Sequence, residues 1–447
     1  MAGSQPLAKS SLPASKSDEK AAHLRVEFES LQRQSHDVSS RRCFQPGGRL
    51  HQIDFVANAH SVHVARWLKV LAHTPAQVTV ATANPLPAFN GDFVSARPLL
   101  PRFLKLPMTL RYFLSGLVAR RSNSRCDRVV HAHSASGNGL IAWLSGRPYV
   151  IGIYGSEVFD AKRRGPLYCW LLKKVLHGAA RLSASSPECA QLLVQDFGIP
   201  ADRIHLLYLG YDANIFYPLT PRQRQQQRRD VQLPTDEPVW TVIRRTHPLY
   251  RTSEVVDGFL AYAAAHDQGR LVLLCGDCDP SYLHTIDQRI KSHPQGHRIV
   301  VIDRMLTPPE FATWVQLSDF SISVPKTDNF SLAIRESLGC GTVPVLSDLA
   351  GYSPLRECQA VRWVENYEPH DFAAMFANTS NTWADLGESD RTECLRFAHE
   401  NYSSEKSIQE IIEFYLGRES AECHQPIEGC QDSHVPDKAV LCELGIS

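Results

Sequence analysis

Apolar and polar positions along this chain fall into two alternating rhythms. HQIDFVAN (51–58), AQVTVATA (76–83), DRVVHAH (127–133), YVIGIYG (149–155) and ARLSAS (180–185) are short apolar runs with the look of buried strands. Between them SVHVARWLKVLA (61–72) repeats apolar residues at helical spacing, and further helices are predicted at 137–145, 166–177 and 187–196. Strands that alternate with amphipathic helices predict a parallel sheet covered on both faces.

The rhythm breaks at YPLTPRQRQQQRRDVQLPTDEP (217–238), which has little to bury and reads as an interdomain linker. It restarts at VWTVI (239–243) and continues through LVLLC (271–275), RIVVID (298–303), DFSISVP (319–325) and TVPVLSD (342–348). The fold class predicted is α/β, with two tandem doubly wound Rossmann-like domains facing a cleft. The expected boundaries are a disordered leader at 1–47, a first domain at 48–216, a second at 239–401, a helix at 402–417 packing back toward the first domain, and a flexible tail at 418–447. In such sheets ligands sit beyond the carboxyl ends of the strands.

Composition changes this picture little. The 447 residues are 43% hydrophobic and 21% charged, with 47 basic and 47 acidic side chains. A net charge of zero gives no global attraction to nucleic acid, so no nucleic-acid partner is expected. The N-terminal residues lack the apolar stretch of a signal peptide, which makes a cytoplasmic location the expectation. The twelve cysteines then read as reduced thiols. Cys275-Gly-Asp-Cys278 ends a strand, where a turn is the simpler reading than half of a zinc site. His131 and His133 share one face of a strand without a third ligand at suitable spacing.

The chemistry concentrates after DFSISVP. There Lys326-Thr327-Asp328-Asn329-Phe330-Ser331 leads into a helix that ends near Gly339-Cys340-Gly341. A small polar strand-to-helix loop offers backbone N–H groups to phosphate or sugar hydroxyls. Asp328 and Glu336 are eight residues apart, roughly two helical turns, so both can face one cleft on a regular helix. One carboxylate could accept from a sugar and the other from a ribose; a helix cap and a solvated helix residue would be the plain alternative.

Residues 324–348 resemble the acidic-x7-acidic region of family-4 retaining glycosyltransferases, which have the two-domain GT-B fold. Phe330, Glu336, Cys340, Gly341, Pro344, Ser347 and Asp348 fit that pattern; Asp328 stands for its first Glu, and Asn329 and Ser331 for its glycines. NAHSVHVARW (58–67), HAHSASGNG (131–139), IYGSEVF (153–159) and LYLGYDANIFYP (207–218) are similar to other signatures of the family. In RRTHPLYR (244–251), Arg245 takes the place of the family's diphosphate-binding Arg, Tyr250 replaces its Lys, and Arg251 could restore that charge.

The resemblance implies a metal-independent enzyme that uses no cofactor. It would move a sugar from a UDP- or GDP-linked nucleotide-sugar to a glycan or lipid-linked acceptor, with retention. Arg245, with Arg251, would meet the diphosphate. Asp328, Asn329 and the backbone at Phe330, Ser331 and Leu332 would orient the sugar, and Glu336 would hold the ribose. His60 and His63, near the first helix, could touch acceptor or phosphate, with solvation on the helix as the alternative. LLPRFLKLPMTLRYFLSGLVARR (99–121), with Arg102, Lys105, Arg111, Arg120 and Arg121, could lie against an anionic membrane or form a domain helix with a basic rim. The substitutions in the family pattern leave a second possibility, a GT-B-like nucleotide-sugar-binding or partner-binding protein without turnover.

Overall fold

The computed structural model describes residues 52–58, 61–74, 76–84, 96–101, 103–121, 129–383 and 388–416. The expected leader and tail, His60 and Arg102 lie outside the described residues.

Two parallel sheets dominate. The first holds β1 (Gln52–Val56), β2 (Gln77–Thr82), β3 (Arg97–Pro98), β4 (Val129–His133), β5 (Tyr149–Ile153), β6 (Arg181–Ala184) and β7 (Ile204–Leu206), ordered β3-β2-β1-β4-β5-β6-β7. The second holds β8 (Val239–Val242), β9 (Arg270–Leu274), β10 (Ile299–Ile302), β11 (Phe320–Ser323), β12 (Val343–Ser347) and β13 (Arg362–Val364), ordered β10-β9-β8-β11-β12-β13. Every strand pair is parallel, because each crossover carries a helix or loop back over the sheet. β5, β8, β11 and β12 are buried throughout, as strands covered on both faces must be.

Chain order reverses between β1 and β4 in the first sheet and between β8 and β11 in the second. At such a point the loops leaving two neighbouring strands diverge to opposite faces and open a crevice. Phe320 pairs with Trp240 and Ile322 with Val242, so β8 and β11 end side by side.

The polar stretch 217–238 is not a bare connection. Thr220 and Gln223 form a capping box that starts a helix at Pro221–Asp230. Arg224 Nη2 and Arg228 Nη2 on that helix donate to the two oxygens of Asp319 at 2.6 and 2.7 Å. Its arginines therefore fasten it to the second domain. The helix Ser404–Leu416 returns to the first domain, where Ile411, Phe414 and Tyr415 are buried with Ile53, Phe55 and Trp67.

Candidate active site

The second domain builds one wall of the cleft from the ends of β8 and β11. Two bonds tie the loops together: Lys326 N–H donates to Leu249 O at 2.8 Å, and Arg251 Nη1 donates to Val324 O at 2.9 Å. The guanidinium of Arg251 also lies 3.7 Å from the centroid of the Tyr367 ring.

Beyond β11 the chain turns through Phe330, whose φ of +56° is left-handed and strained for a bulky residue. Packing holds it there. The ring is buried against Tyr208 and Tyr402, at centroid distances of 5.3 and 5.6 Å. Arg335 Nη2 donates to its carbonyl at 3.1 Å. This turn launches the helix Leu332–Gly339 from Ser331, whose side chain makes no capping bond. First-turn N–H groups therefore face the cleft at the positive end of the helix dipole.

Asp328 lies in the loop before this helix, so the two-turn spacing argument does not apply to it. Asp328 and Glu336 nevertheless line one cavity of about 450 Å³, with Asn329, Phe330, Ser331 and Leu332 between them. Its other wall comes from the first domain, with His63, Trp67, Tyr154, Ser185 and Leu209. A cavity of this size suits a small-molecule ligand.

Electrostatics set the character of the site. Burial raises the Glu336 pKa against the opposing pull of Arg66 and Arg335; Arg66 Nη2 lies 3.7 Å from Glu336 Oε1 across the domain boundary. Burial lowers the Arg335 pKa to about 10, and the guanidinium is bonded to Leu209 O. Burial, with Arg335, Arg244 and Arg66 nearby, lowers His63 to about 4 and keeps its imidazole neutral at physiological pH.

Arg245 is exposed and stands outside this cavity, and Arg251 turns to Val324 and Tyr367. Arg244 lines the cavity and pairs with Asp328 at 3.1 Å. His131 is sealed in the core, stacked 4.2 Å from Phe55 and hydrogen-bonded to Tyr415 at 2.6 Å through Nδ1. His133 is buried beside it and meets the Tyr154 hydroxyl at 3.1 Å. Cys275 is buried at the end of β9, and Cys278 is half-buried in the turn that follows. Arg111 is also buried, donating to the carbonyls of Ala83 and Leu104 at 2.6 and 2.7 Å. It anchors the stretch 99–121 rather than extending a basic rim. Sequence reasoning missed Arg244, Arg66, Arg335 and Ser185, since their roles depend on which way a strand end faces and on contacts between domains.

Residues 60–215 match the family model described as Glycosyltransferase Family 4. The D-inositol 3-phosphate glycosyltransferase of Streptosporangium roseum is 24% identical over 299 residues, covering 61% of this chain and 66% of that protein. Its counterpart in Catenulispora acidiphila is 25% identical over 360 residues, covering 74% of this chain and 82% of the other. The chain is thus similar to family-4 glycosyltransferases, through residues 60–215 and through these relatives. The match spans about two thirds of the Streptosporangium relative's length and about half of the relative in Thermomonospora curvata.

Solved structures agree on the fold. The sucrose-phosphate synthase of Thermosynechococcus elongatus superposes with a TM-score of 0.65 at 15% identity, covering 82% of this chain and 98% of that one. Anabaena HepE in complex with UDP-glucose gives 0.65 at 14% identity, covering 81% and 98%. The chain therefore has the GT-B architecture, its cleft opening at the strand-order reversals of both sheets.

Proposed function

We propose that this glycosyltransferase moves a sugar from a UDP- or GDP-linked nucleotide-sugar to a glycan or lipid-linked acceptor, with retention and without a metal ion or other cofactor. The observation that carries this reading is the single cavity that joins Asp328, the backbone turn at Asn329–Leu332 and Glu336 to His63 and Ser185 of the other domain. Uncapped N–H groups at a helix start favour a phosphate or sugar hydroxyls. Glu336, half-buried beside Arg66, suits the paired hydroxyls of a ribose. A protein of the same fold occurs in complex with UDP-glucose, which supports the donor class.

In this reading the bond between the anomeric carbon and the diphosphate oxygen breaks, and its electron pair goes to that oxygen. The acceptor hydroxyl attacks from the same face, forms the new carbon–oxygen bond and passes its proton to the departing phosphate oxygen. The developing charge on the diphosphate requires a cation, the role that the family pattern gives to Arg245 with Arg251.

A peripheral membrane contact fits a lipid-linked acceptor. Phe103, Met108, Leu110 and Phe113 are exposed, with Phe103 at 80%, and Lys105, Arg120 and Arg121 are exposed on the same segment. Among the described residues no helix is long and apolar enough to cross a membrane.

The test is donor depletion with UDP-, GDP- and ADP-sugars and a membrane extract as acceptor. Nucleotide release from one donor, abolished by Glu336→Gln, is expected. Tight donor binding with no turnover under any acceptor would instead identify a nucleotide-sugar-binding protein.

A further inference from the structure

The cation that meets the diphosphate can be named more closely, on the premise that the glycosyltransferase reading holds. Just beyond the end of β8 stand two adjacent arginines, and only one of them lines the cavity beside β11. Arg244 is the one that enters. Its Nη2 donates to Asp328 Oδ1 at 3.2 Å, and its Nη1 lies 3.1 Å from Asp328 Oδ2. The guanidinium stacks over Tyr250, 4.5 Å from the ring centroid. Arg245 leaves on the other side, where its Cβ lies 3.3 Å from the position a Cβ on Gly276 would take.

Asp328 is itself constrained. Tyr352 is wholly buried and donates its hydroxyl to Asp328 Oδ2 at 2.6 Å. A carboxylate already engaged by an arginine and a phenol is better suited to holding the arginine than to gripping a sugar. Asp328 engages two of the five guanidinium donors of Arg244. The cavity wall bears Arg244 and Arg335 against Asp328 and Glu336, and Arg66 beside Glu336 adds a positive surplus. That surplus suits a doubly charged diphosphate.

We propose that Arg244 is the residue that binds the leaving diphosphate and stabilises its charge, and that Asp328 is a positioning residue that aims Arg244. Burial alone would lower the Arg244 pKa, but Asp328, Tyr352 and Tyr250 outweigh it and hold the group above its ordinary value, so it stays charged during turnover. Tyr250, in the position the family pattern gives to a lysine, becomes the platform under Arg244.

The experiment compares Arg244→Ala, Arg244→Lys, Asp328→Asn and Arg245→Ala with the unaltered protein, using UDP, GDP and uridine as probes and donor depletion as the activity. Arg244→Ala is expected to weaken the bound diphosphate and slow turnover by roughly 100-fold or more, leaving uridine affinity unchanged. Arg244→Lys recovers part of the loss. Asp328→Asn lowers kcat more than it raises KM. Because Arg244→Ala strips a half-buried carboxylate of its partner, the neutral pair Arg244→Gln with Asp328→Asn serves as the second variant. It should melt near the unaltered protein and still lose diphosphate affinity. The assignment fails if Arg245→Ala loses diphosphate affinity while Arg244→Ala or the neutral pair keeps it, and turnover by the unaltered protein would then leave the glycosyltransferase reading standing. If the unaltered protein neither binds a nucleoside diphosphate nor consumes a donor, the glycosyltransferase reading falls and takes this assignment with it.

Discussion

Asn329 of the second domain is held by Ser185 of the first: its Nδ2 donates to Ser185 Oγ at 2.6 Å. Ser186 completes the clasp by donating its hydroxyl to Asn329 Oδ1. Gly155 makes room for it, with a φ of +110° and no side chain; a Cβ there would sit 2.8 Å from Asn329 Nδ2. The position occupied by a glycine in the family pattern thus carries an amide that joins the two walls of the cleft.

Replacing Asn329 by Ala removes both bonds, each contributing about 1 kcal/mol to the closed arrangement. Small-angle scattering of the ligand-free variant should give a larger radius of gyration than the unaltered protein. Gly155→Ala should act the same way by displacing the amide. Scattering curves that superpose for all three proteins would show that the clasp does not set the closure.

Glu410, on the C-terminal helix, predicts a pH dependence. Burial raises its pKa to about 7, against the opposing effect of Lys406 and of the Tyr208 N–H, while Glu413 adds to the rise. The folded pKa lies above the unfolded one, so the carboxylate costs nothing below the unfolded value and its full penalty above pH 7. Stability attributable to Glu410 therefore falls as pH rises from about 4.5 to about 7, by up to about 3 kcal/mol. Urea midpoints measured across this window should drop more steeply for the unaltered protein than for Glu410→Gln. Parallel curves would remove Glu410 as the cause.

The alternation of Val-, Ile- and Leu-rich runs with helical periods makes most of both sheets legible in the sequence. β3, β7 and β13 are not, because two or three residues at a sheet edge carry no period that separates them from loop. The helix Pro221–Asp230 was hidden by its composition: it buries arginine against Asp319, not an apolar stripe. In the site, Asp328 and Glu336 were found through motif resemblance, yet the helix meant to align them starts only at Leu332. The choice between Arg244 and Arg245 was out of reach, since it turns on the facing of one residue beyond the end of β8. Ser185 and Arg66 meet Asn329 and Glu336 only across the domain boundary, a relationship no local pattern records.

Asp319 should be the most sensitive carboxylate outside the cleft. It is fully buried, and although burial alone would raise its pKa, Arg224 and Arg228 hold it well below the usual carboxylate range. Its Oδ2 also accepts from Val239 N–H at 2.9 Å, at the first residue of β8. Asp319→Asn leaves the buried Arg228 and the half-buried Arg224 short of a counter-charge, a change that costs roughly 3–5 kcal/mol. Urea unfolding should show that loss, with the helix Pro221–Asp230 becoming exchangeable first. A loss below about 1 kcal/mol would mean that the carbonyls of Gln316 and Leu317, which also accept from Arg224 and Arg228, carry the arginines by themselves.

The exposed apolar residues of 103–118 make a last prediction. Arg111 fixes this segment by donating to the carbonyls of Ala83, Leu100, Pro101 and Leu104, so Phe103, Leu110 and Phe113 are held outward by a built framework. With Lys105, Arg120 and Arg121 beside them, they meet the two requirements of an interfacial contact: apolar area to insert and positive charge to attract anionic headgroups. Vesicles containing phosphatidylserine should sediment the protein, and neutral phosphatidylcholine vesicles should do so less. Raising the salt should weaken the anionic arm, because screening acts on the lysine and arginine contribution alone. Phe103→Ser with Phe113→Ser should lower vesicle binding at least tenfold, given about 1.5–3 kcal/mol for burying each ring. Turnover of a soluble acceptor should persist in that variant, since neither ring lines the cleft. Equal binding by the double variant would assign this apolar surface to something other than a membrane.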